Sequence, residues 1–390
     1  MKRIRKMKIL IDGRLYGPEN AGLGRYINNL VSELSKSDSE NEYTLLLRKK
    51  YFDSLSLPNN WKKVLADFRH YSFREQLILP DLIKKENPDL VHFPHFNVPV
   101  RYNGKYVVTI HDLLMHKQIG LSATTLSAPI YFLKRLSYRF VFDTAIRKSS
   151  AIIVPSFAIK KELEKMYRGV SEKINVTYEG LDEKISTEKG IRINSPYFVY
   201  TGNAYPHKNL KRLIQAVVHL NNSRSKKVYL VIASARNVFT SRVESIIRQL
   251  KAGDFVKLLG FVPDNELGSL YKNSLGFVFP SLSEGFGLPG LEAMNAGTIL
   301  LASEIQVFKE IYNSHAVYFN PLDFSSIEKT MRNVLEMEPN KRKKMIENGQ
   351  EFAKRYSWAK MAKETLKIYL SLEGPKGLNS EIGVASSERS

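Results

Sequence analysis

An α/β architecture of two doubly wound halves is what this sequence predicts, and three observations carry it. The chain of 390 residues is 43% hydrophobic, enough for two ordinary domains with a core in each. Short runs rich in β-branched and aromatic residues alternate with helix-length stretches almost from end to end. Most of those runs read apolar on both faces, as strands do in a parallel sheet covered by helices on each side.

Taken in order, the first series of strands is expected at 8–12, 43–47, 90–93, 107–111, 151–154 and 174–178. The second follows at 197–201, 228–233, 256–259, 276–279, 299–302 and 317–319, six strands to each half. Helix-period stretches lie between them, for example at 24–36, 129–148, 210–220, 240–250 and 289–296. The N-terminal domain is thus expected over 1–182 and the C-terminal domain over 196–356. Residues 183–195 are polar, lack a sustained apolar period and read as the linker. A last helix is expected over 357–372, and the Gly/Ser/Glu-rich tail 373–390 reads as disordered.

Composition narrows the function. No cysteine is present, which excludes a disulfide framework, a thiolate zinc site and a Cys nucleophile. No apolar run approaches the ~20 residues of a membrane-spanning helix. The basic start, Met-Lys-Arg-Ile-Arg-Lys-Met-Lys, leads into a short strand rather than the long apolar centre of a signal peptide. A soluble, cytoplasmic protein is expected. The 59 Lys and Arg against 39 Asp and Glu give a net charge of +20, which favours anionic partners. That charge is spread, with 32 basic and 21 acidic residues in 1–190 and 27 and 18 in the rest. With no basic module and no recognised motif, nucleic acid is not the expected partner.

The densest chemical signal is Pro280-Ser-Leu-Ser-Glu-Gly-Phe-Gly-Leu-Pro-Gly-Leu-Glu-Ala-Met294, between a buried strand and a helix. Pro289 suits the first turn, where its missing N–H costs nothing. Gly285, Gly287 and Gly290 would let backbone approach a ligand closely. The helix start carries free N–H groups and about half a positive charge, a setting for phosphate. Glu284 on the loop and Glu292 about one turn into the helix could each accept from sugar hydroxyls. A second loop, Gly202-Asn-Ala-Tyr-Pro-His-Lys-Asn209, follows a strand and precedes a helix that Asn209 could cap. Lys208 there could set an ammonium beside the same phosphates, or be one more solvated surface lysine.

In the first half, strand 107–111 ends in His111-Asp112, and open α/β sheets bind ligands beyond the carboxyl ends of their strands. His111 can serve chemistry there, or merely pack while Asp112 caps the next turn. His92 and His95 lack further ligands at a metal-binding spacing and read as packing at a strand end. No Asp-x-Asp pair is present to hold a divalent ion on a diphosphate. Gly22 and Gly24, ahead of the first helix, would let that helix start face the cleft, although Ile27 breaks the dinucleotide fingerprint.

With these residues in view, the chain from about Ile9 to Leu372 resembles the retaining glycosyltransferases of family 4 (glycosyl transferase group 1), similar to bacterial mannosyltransferases. Its most specific part is the pair Glu284 and Glu292 inside Glu-Gly-Phe-Gly-Leu-Pro-Gly-Leu-Glu-Ala-Met. Supporting matches are Gly202…Pro206-His-Lys-Asn-Leu210, Gly260-Phe-Val-Pro-Asp-Asn-Glu-Leu267, Thr109-Ile-His-Asp-Leu113 and Gly22-Leu-Gly-Arg-Tyr26. The resemblance implies the GT-B fold, two Rossmann-like domains facing each other across a cleft, with the last helix crossing back to the first. It implies a nucleotide-diphosphate sugar, GDP-mannose ahead of a UDP-sugar, as the donor. The acceptor would be a glycan or lipid-linked saccharide, with no divalent metal required. Carried over, Glu292 would hold the ribose and Glu284 the donor sugar, while backbone at Gly285, Phe286, Gly287 and Leu288 would meet sugar and phosphates. Lys208 would neutralise the diphosphate, backbone near Val262 would meet the base, and His111 would touch the sugar near the reacting carbon. Gly202, Asn203 and Glu266 complete the donor side, with Gly22 and Gly24 on the acceptor or phosphate side. His207 stands where many relatives have Arg, 303–310 lacks the usual Pro before its Glu, and Thr298-Ile299 replaces a commoner Thr-Pro or Cys-Pro.

Other readings share these residues. A glycoside hydrolase could use Glu284 and Glu292 as an acid/base pair, but would leave Lys208 and the helix start without a role. A nucleotide-sugar epimerase could occupy a similar fold, and a non-catalytic nucleic-acid binder would account for the charge alone. Residues 101–150 hold eight basic and two acidic residues, and Tyr131-Phe-Leu-Lys-Arg-Leu-Ser-Tyr-Arg-Phe-Val-Phe142 mixes aromatics with cations. This helix could rest on an anionic membrane surface at the inner face, or be a core helix with a basic outer side.

Overall fold

The computed structural model describes residues 6–117, 127–181, 190–191, 193–222, 224–235 and 238–373. The first half runs β1 (Lys8–Asp12), α1 (Ala21–Ser37), β2 (Glu42–Leu47), α2 (Lys49–Phe52), β3 (Trp61–Leu65), α3 (Phe73–Glu86), β4 (Leu90–Phe93) and β5 (Tyr106–Thr109). It continues through α4 (Leu114–Lys117), α5 (Ala128–Lys148), β6 (Ala151–Val154), α6 (Phe157–Met166) and β7 (Ile174–Val176). The second half runs β8 (Tyr197–Thr201), α7 (Leu210–Asn222), β9 (Tyr229–Ala233), α8 (Val238–Gln249), β10 (Val256–Gly260), α9 (Asp264–Lys272), β11 (Gly276–Phe279) and α10 (Leu288–Asn295). It ends with β12 (Leu300–Ser303), α11 (Gln306–Tyr312), β13 (Ala316–Phe319), α12 (Phe324–Leu335), α13 (Pro339–Ala353) and α14 (Trp358–Ser371).

The strands assemble into two sheets, β3-β2-β1-β4-β5-β6-β7 and β10-β9-β8-β11-β12-β13, and every pairing is parallel. In the second sheet the chain winds outward from β8 in one direction and, starting again at β11, in the other. The crevice beside such a reversal is where doubly wound sheets bind ligands. The loops after β8 and β11, which carry Lys208 and the Glu284 segment, leave neighbouring strands at that point. In the first sheet the reversal falls between β1 and β4, with β5 and its following His111 one strand away.

Central strands explain themselves. Ala151-Ile-Ile-Val154 and Gly276-Phe-Val-Phe279 are buried at every position, as an interior parallel strand requires. On one side of the first sheet, Leu79 and Ile83 of α3, Phe142 and Ile146 of α5 and Leu163 of α6 form one core. On the other side, Ile27, Leu30 and Leu34 of α1 belong to a core that continues into the second half. Helix α14 starts at a Ser357 cap, packs along α1 and buries Met361, Ala362, Thr365 and Tyr369. Its Tyr369 hydroxyl meets His92 Nδ1 at 2.5 Å, and Lys105 donates to the Leu372 carbonyl at 2.7 Å.

The expected six strands in the first half become seven. Trp61-Lys-Lys-Val-Leu65 is an edge strand, and its two lysines, a common protection against edge-to-edge pairing, broke the apolar pattern. Most of the linker at 183–195 and all but the first residue of the tail at 373–390 lie outside the described residues.

Candidate active site

The two loops at the second sheet's reversal are tied together. Asn209 has a left-handed backbone, φ 59°, and its side-chain amide donates to the carbonyls of Pro280 at 3.0 Å and Pro321 at 2.7 Å. Its oxygen accepts from Arg212, so the expected helix cap is instead a clamp between loops. The Leu282 N–H donates to the His207 carbonyl at 2.8 Å. This backbone frame brings Lys208 Nζ to 2.5 Å from Glu284 Oε1, with the ammonium also 5.6 Å from the Phe279 ring centre. Lys208 is therefore a mostly buried, paired cation and not a solvated surface lysine. Burial, and then the charge of Lys208, pushes His207 down to about 4, so it is neutral at physiological pH and supplies no second cation.

Helix α10 begins one residue after Gly287 and carries Glu292 on its second turn, buried. Arg25 of α1 pairs with the Glu292 carboxylate and reaches Asp264 of α9 at 3.1 Å. An arginine of the first half thus bridges two helices of the second. Two of the loop glycines also have a role in packing. A Cβ on Gly287, at φ 110°, would stand 2.2 Å from the Tyr312 hydroxyl, which donates to the Gly287 carbonyl at 2.6 Å. A Cβ on Gly290 would meet the same hydroxyl at 2.4 Å. Their missing side chains make room for Tyr312, and Tyr312 in turn fixes the helix start. At Gly285 a Cβ would fall 1.8 Å from the His111 carbonyl oxygen. That contact is made across the cleft and sets His111 beside the Glu284 loop.

His111 Nδ1 lies 3.1 Å from Glu179 Oε1 and Nε2 lies 3.0 Å from the Pro94 carbonyl, while the Tyr26 ring stands edge-on to the imidazole. The ring is positioned, not just packed, and Asp112 does cap the next turn by accepting from the Leu114 N–H at 2.8 Å. His92 Nε2 meets the Thr109 hydroxyl at 2.8 Å and His95 Nε2 meets Tyr71 at 3.2 Å, so both are engaged by side chains at the strand ends. Among the described residues no group of three or more His, Asp or Glu gathers in metal-binding geometry. Beneath this wall Arg14, fully buried, donates to Asp12 at 2.6 Å and Glu75 at 2.7 Å. Burial alone would raise Asp12, but the charge and hydrogen bonds of Arg14 hold it below the usual carboxylate range.

The remaining expected residues spread around this centre. Gly202 has φ 131° directly after β8, and the Asn203 carbonyl accepts from Tyr200 at 2.6 Å. Val262 is buried after β10 and Glu266 is half-buried on the first turn of α9. Phe286 points its ring away between Tyr178 and Tyr356, leaving only its backbone for the cleft, and Leu288 is buried. Gly22 opens on free space near the start of α1, whereas Gly24 packs on the Gly17 carbonyl. Sequence reasoning did not single out Arg25, Glu179 or Tyr312. For Arg25 a signal existed, in its place directly after Gly22-Leu-Gly24 at a helix start that faces the cleft.

Comparison with known proteins matches residues 21–184 to Glycosyltransferase Family 4 and residues 182–352 to Glycosyl transferases group 1. The O-antigen chain mannosyltransferase RfbU of Salmonella typhimurium is 29% identical over 269 residues, 68% of this chain and 70% of its own length. The O-antigen chain mannosyltransferase B of Escherichia coli is 23% identical over 381 residues, 89% of this chain and 95% of its own. Among solved structures, sucrose-phosphate synthase from Thermosynechococcus elongatus superposes with a TM-score of 0.74 at 17% identity, covering 94% of this chain and 99% of that one.

Proposed function

The chain is a glycosyltransferase of the GT-B fold, its halves belonging to Family 4 and to group 1, and from that premise we propose that it transfers mannose from GDP-mannose, with retention, to a hydroxyl of a glycan or lipid-linked saccharide in cell-surface polysaccharide synthesis. The observation that carries the donor site is the convergence of Lys208, Glu284 and Glu292 around the start of α10, opposite His111. The choice of mannose rests on the two relatives, both O-antigen mannosyltransferases.

A nucleoside diphosphate leaves readily once its negative charge is stabilised. Lys208 and the N–H groups at the start of α10 supply that stabilisation without a metal ion. Glu292 takes the ribose hydroxyls and Glu284 the hydroxyls of the sugar. Both carboxylates are held by cations in the structure, so donor binding is an exchange of partners: Lys208 shifts toward phosphate as Glu284 turns to sugar, and Arg25 yields part of Glu292. His111, held by Glu179 and Pro94, lies along the sugar near the reacting carbon. The acceptor oxygen then attacks from the face the diphosphate leaves.

The test is transfer of label from GDP-mannose, UDP-glucose and UDP-galactose to a lipid-linked saccharide, with and without EDTA, followed by assignment of the new anomeric centre. Mannosyl transfer that survives EDTA and retains configuration is expected. Free sugar released from a glycoside without nucleotide would favour the hydrolase, and an interconverted nucleotide sugar the epimerase.

A further inference from the structure

Helix α5 is apolar on two opposite faces, and among the described residues only one of them is covered. Tyr138, Phe142, Ala145 and Ile146 face the sheet and are buried. Phe132, Leu136 and Phe140, at i, i+4 and i+8, form a stripe on the far side with Leu133 beside it, and these four are 62%, 68%, 63% and 67% exposed. An ordinary surface helix turns charged and polar residues to that side. Met115, whose carbonyl accepts from Arg135 of α5, is also exposed, as are Phe73 and Leu77 on the first turns of α3. Both helices cover the same side of the first sheet. No helix among the described residues is long and apolar enough to cross a membrane, so this surface is not part of a span.

Charge and position say what covers it. Helix α5 carries five cations, Lys134, Arg135, Arg139, Arg147 and Lys148, against one acid, and that acid, Asp143, accepts from Tyr167. Because α3 and α5 run back along the strands, their first turns lie at the carboxyl edge of the sheet, where His111 sits. Arg135 donates to the Met115 carbonyl at 3.4 Å and His116 stacks edge-on to Tyr138, which joins the stripe to the segment that follows His111. The exposed apolar residues are therefore gathered at the mouth of the site.

We propose that this surface, the outer stripe of α5 with Met115 and the start of α3, docks the enzyme on an anionic bilayer, apolar side chains entering the headgroup region and Lys134 and Arg139 meeting lipid phosphates. Docked so, the mouth of the site lies against the surface from which a lipid-linked acceptor presents its saccharide. The inference concerns the surface and stands whichever sugar is transferred.

The full chain is tested by flotation with vesicles of phosphatidylcholine alone and of phosphatidylcholine with phosphatidylglycerol. Binding to the mixed vesicles, weakened by high salt, is expected, with little to neutral ones. Phe132→Ser/Leu136→Ser should reduce partitioning roughly tenfold or more, and Lys134→Glu/Arg139→Glu should abolish the preference for anionic lipid. Circular dichroism and transfer to a water-soluble acceptor, both unchanged, confirm that the variants fold. Equal binding to both vesicle types, or variants that bind like wild type, would overturn the proposal. So would a dimer in solution that the same substitutions dissolve, since the stripe would then be an interface between copies.

Discussion

Lys208 is the residue on which the electrostatics of the site turns. Its ammonium is mostly buried and pairs with Glu284, and the neighbouring His207 is neutral and adds no second charge. Lys208→Ala is expected to raise the barrier to transfer by about 2 kcal/mol or more, roughly thirtyfold in kcat/KM. Lys208→Arg should recover part of the loss, and near-native turnover in the alanine variant would remove Lys208 from the role. This lysine, Glu284 and Glu292 were legible in the sequence because each lies in a compact local pattern, a strand end followed by glycines and a helix start. Arg25 was not, since its partner Glu292 lies 267 positions away. Glu179, 68 positions from His111, was hidden for the same reason. The glycines of the loop were read as ligand-facing, and only the fold reveals that Tyr312 occupies the space they leave.

At the scale of elements, the sequence signal was strongest where burial is two-sided. Strands such as β6 and β11 announce themselves as short continuous apolar runs, while β3, at an edge and bearing two lysines, does not. The docking of α14 depends on a contact of another kind, His92 with Tyr369. Burial, with His111 adding to it, drives His92 from its ordinary 6.5 down to about 3, so the ring is neutral in the folded protein. Between those values the unfolded chain binds a proton that the folded one does not. The stability from this group is present in full above about pH 6.5 and drains as the pH falls toward 3. Melting temperature should therefore drop on acidification from pH 7 to 5. His92→Gln, less stable at neutral pH, should show a shallower drop, and an unchanged slope would exclude His92 as a source of the acid sensitivity.

At the scale of the whole molecule, two parallel sheets each reverse their winding and present their carboxyl edges to one cleft. The contacts of Arg25 with Glu292 and of Gly285 with the His111 carbonyl cross it. The second half supplies the charge and carboxylates suited to a nucleotide sugar, and the first supplies His111 and a basic, apolar surface at the mouth. The alternation of strands and helices made this architecture readable, whereas the facing of the two halves is set by contacts no local pattern contains. The most direct measurement is a thermal-shift panel with GDP, UDP, dTDP and ADP in the absence of metal, on wild type and Glu292→Ala. A ligand that prefers the folded state raises its melting temperature. One nucleotide, GDP, is expected to do so in the wild type and to lose the effect in the variant. No shift from any of the four, or a shift that Glu292→Ala leaves intact, would contradict a nucleotide-sugar site built on these two loops.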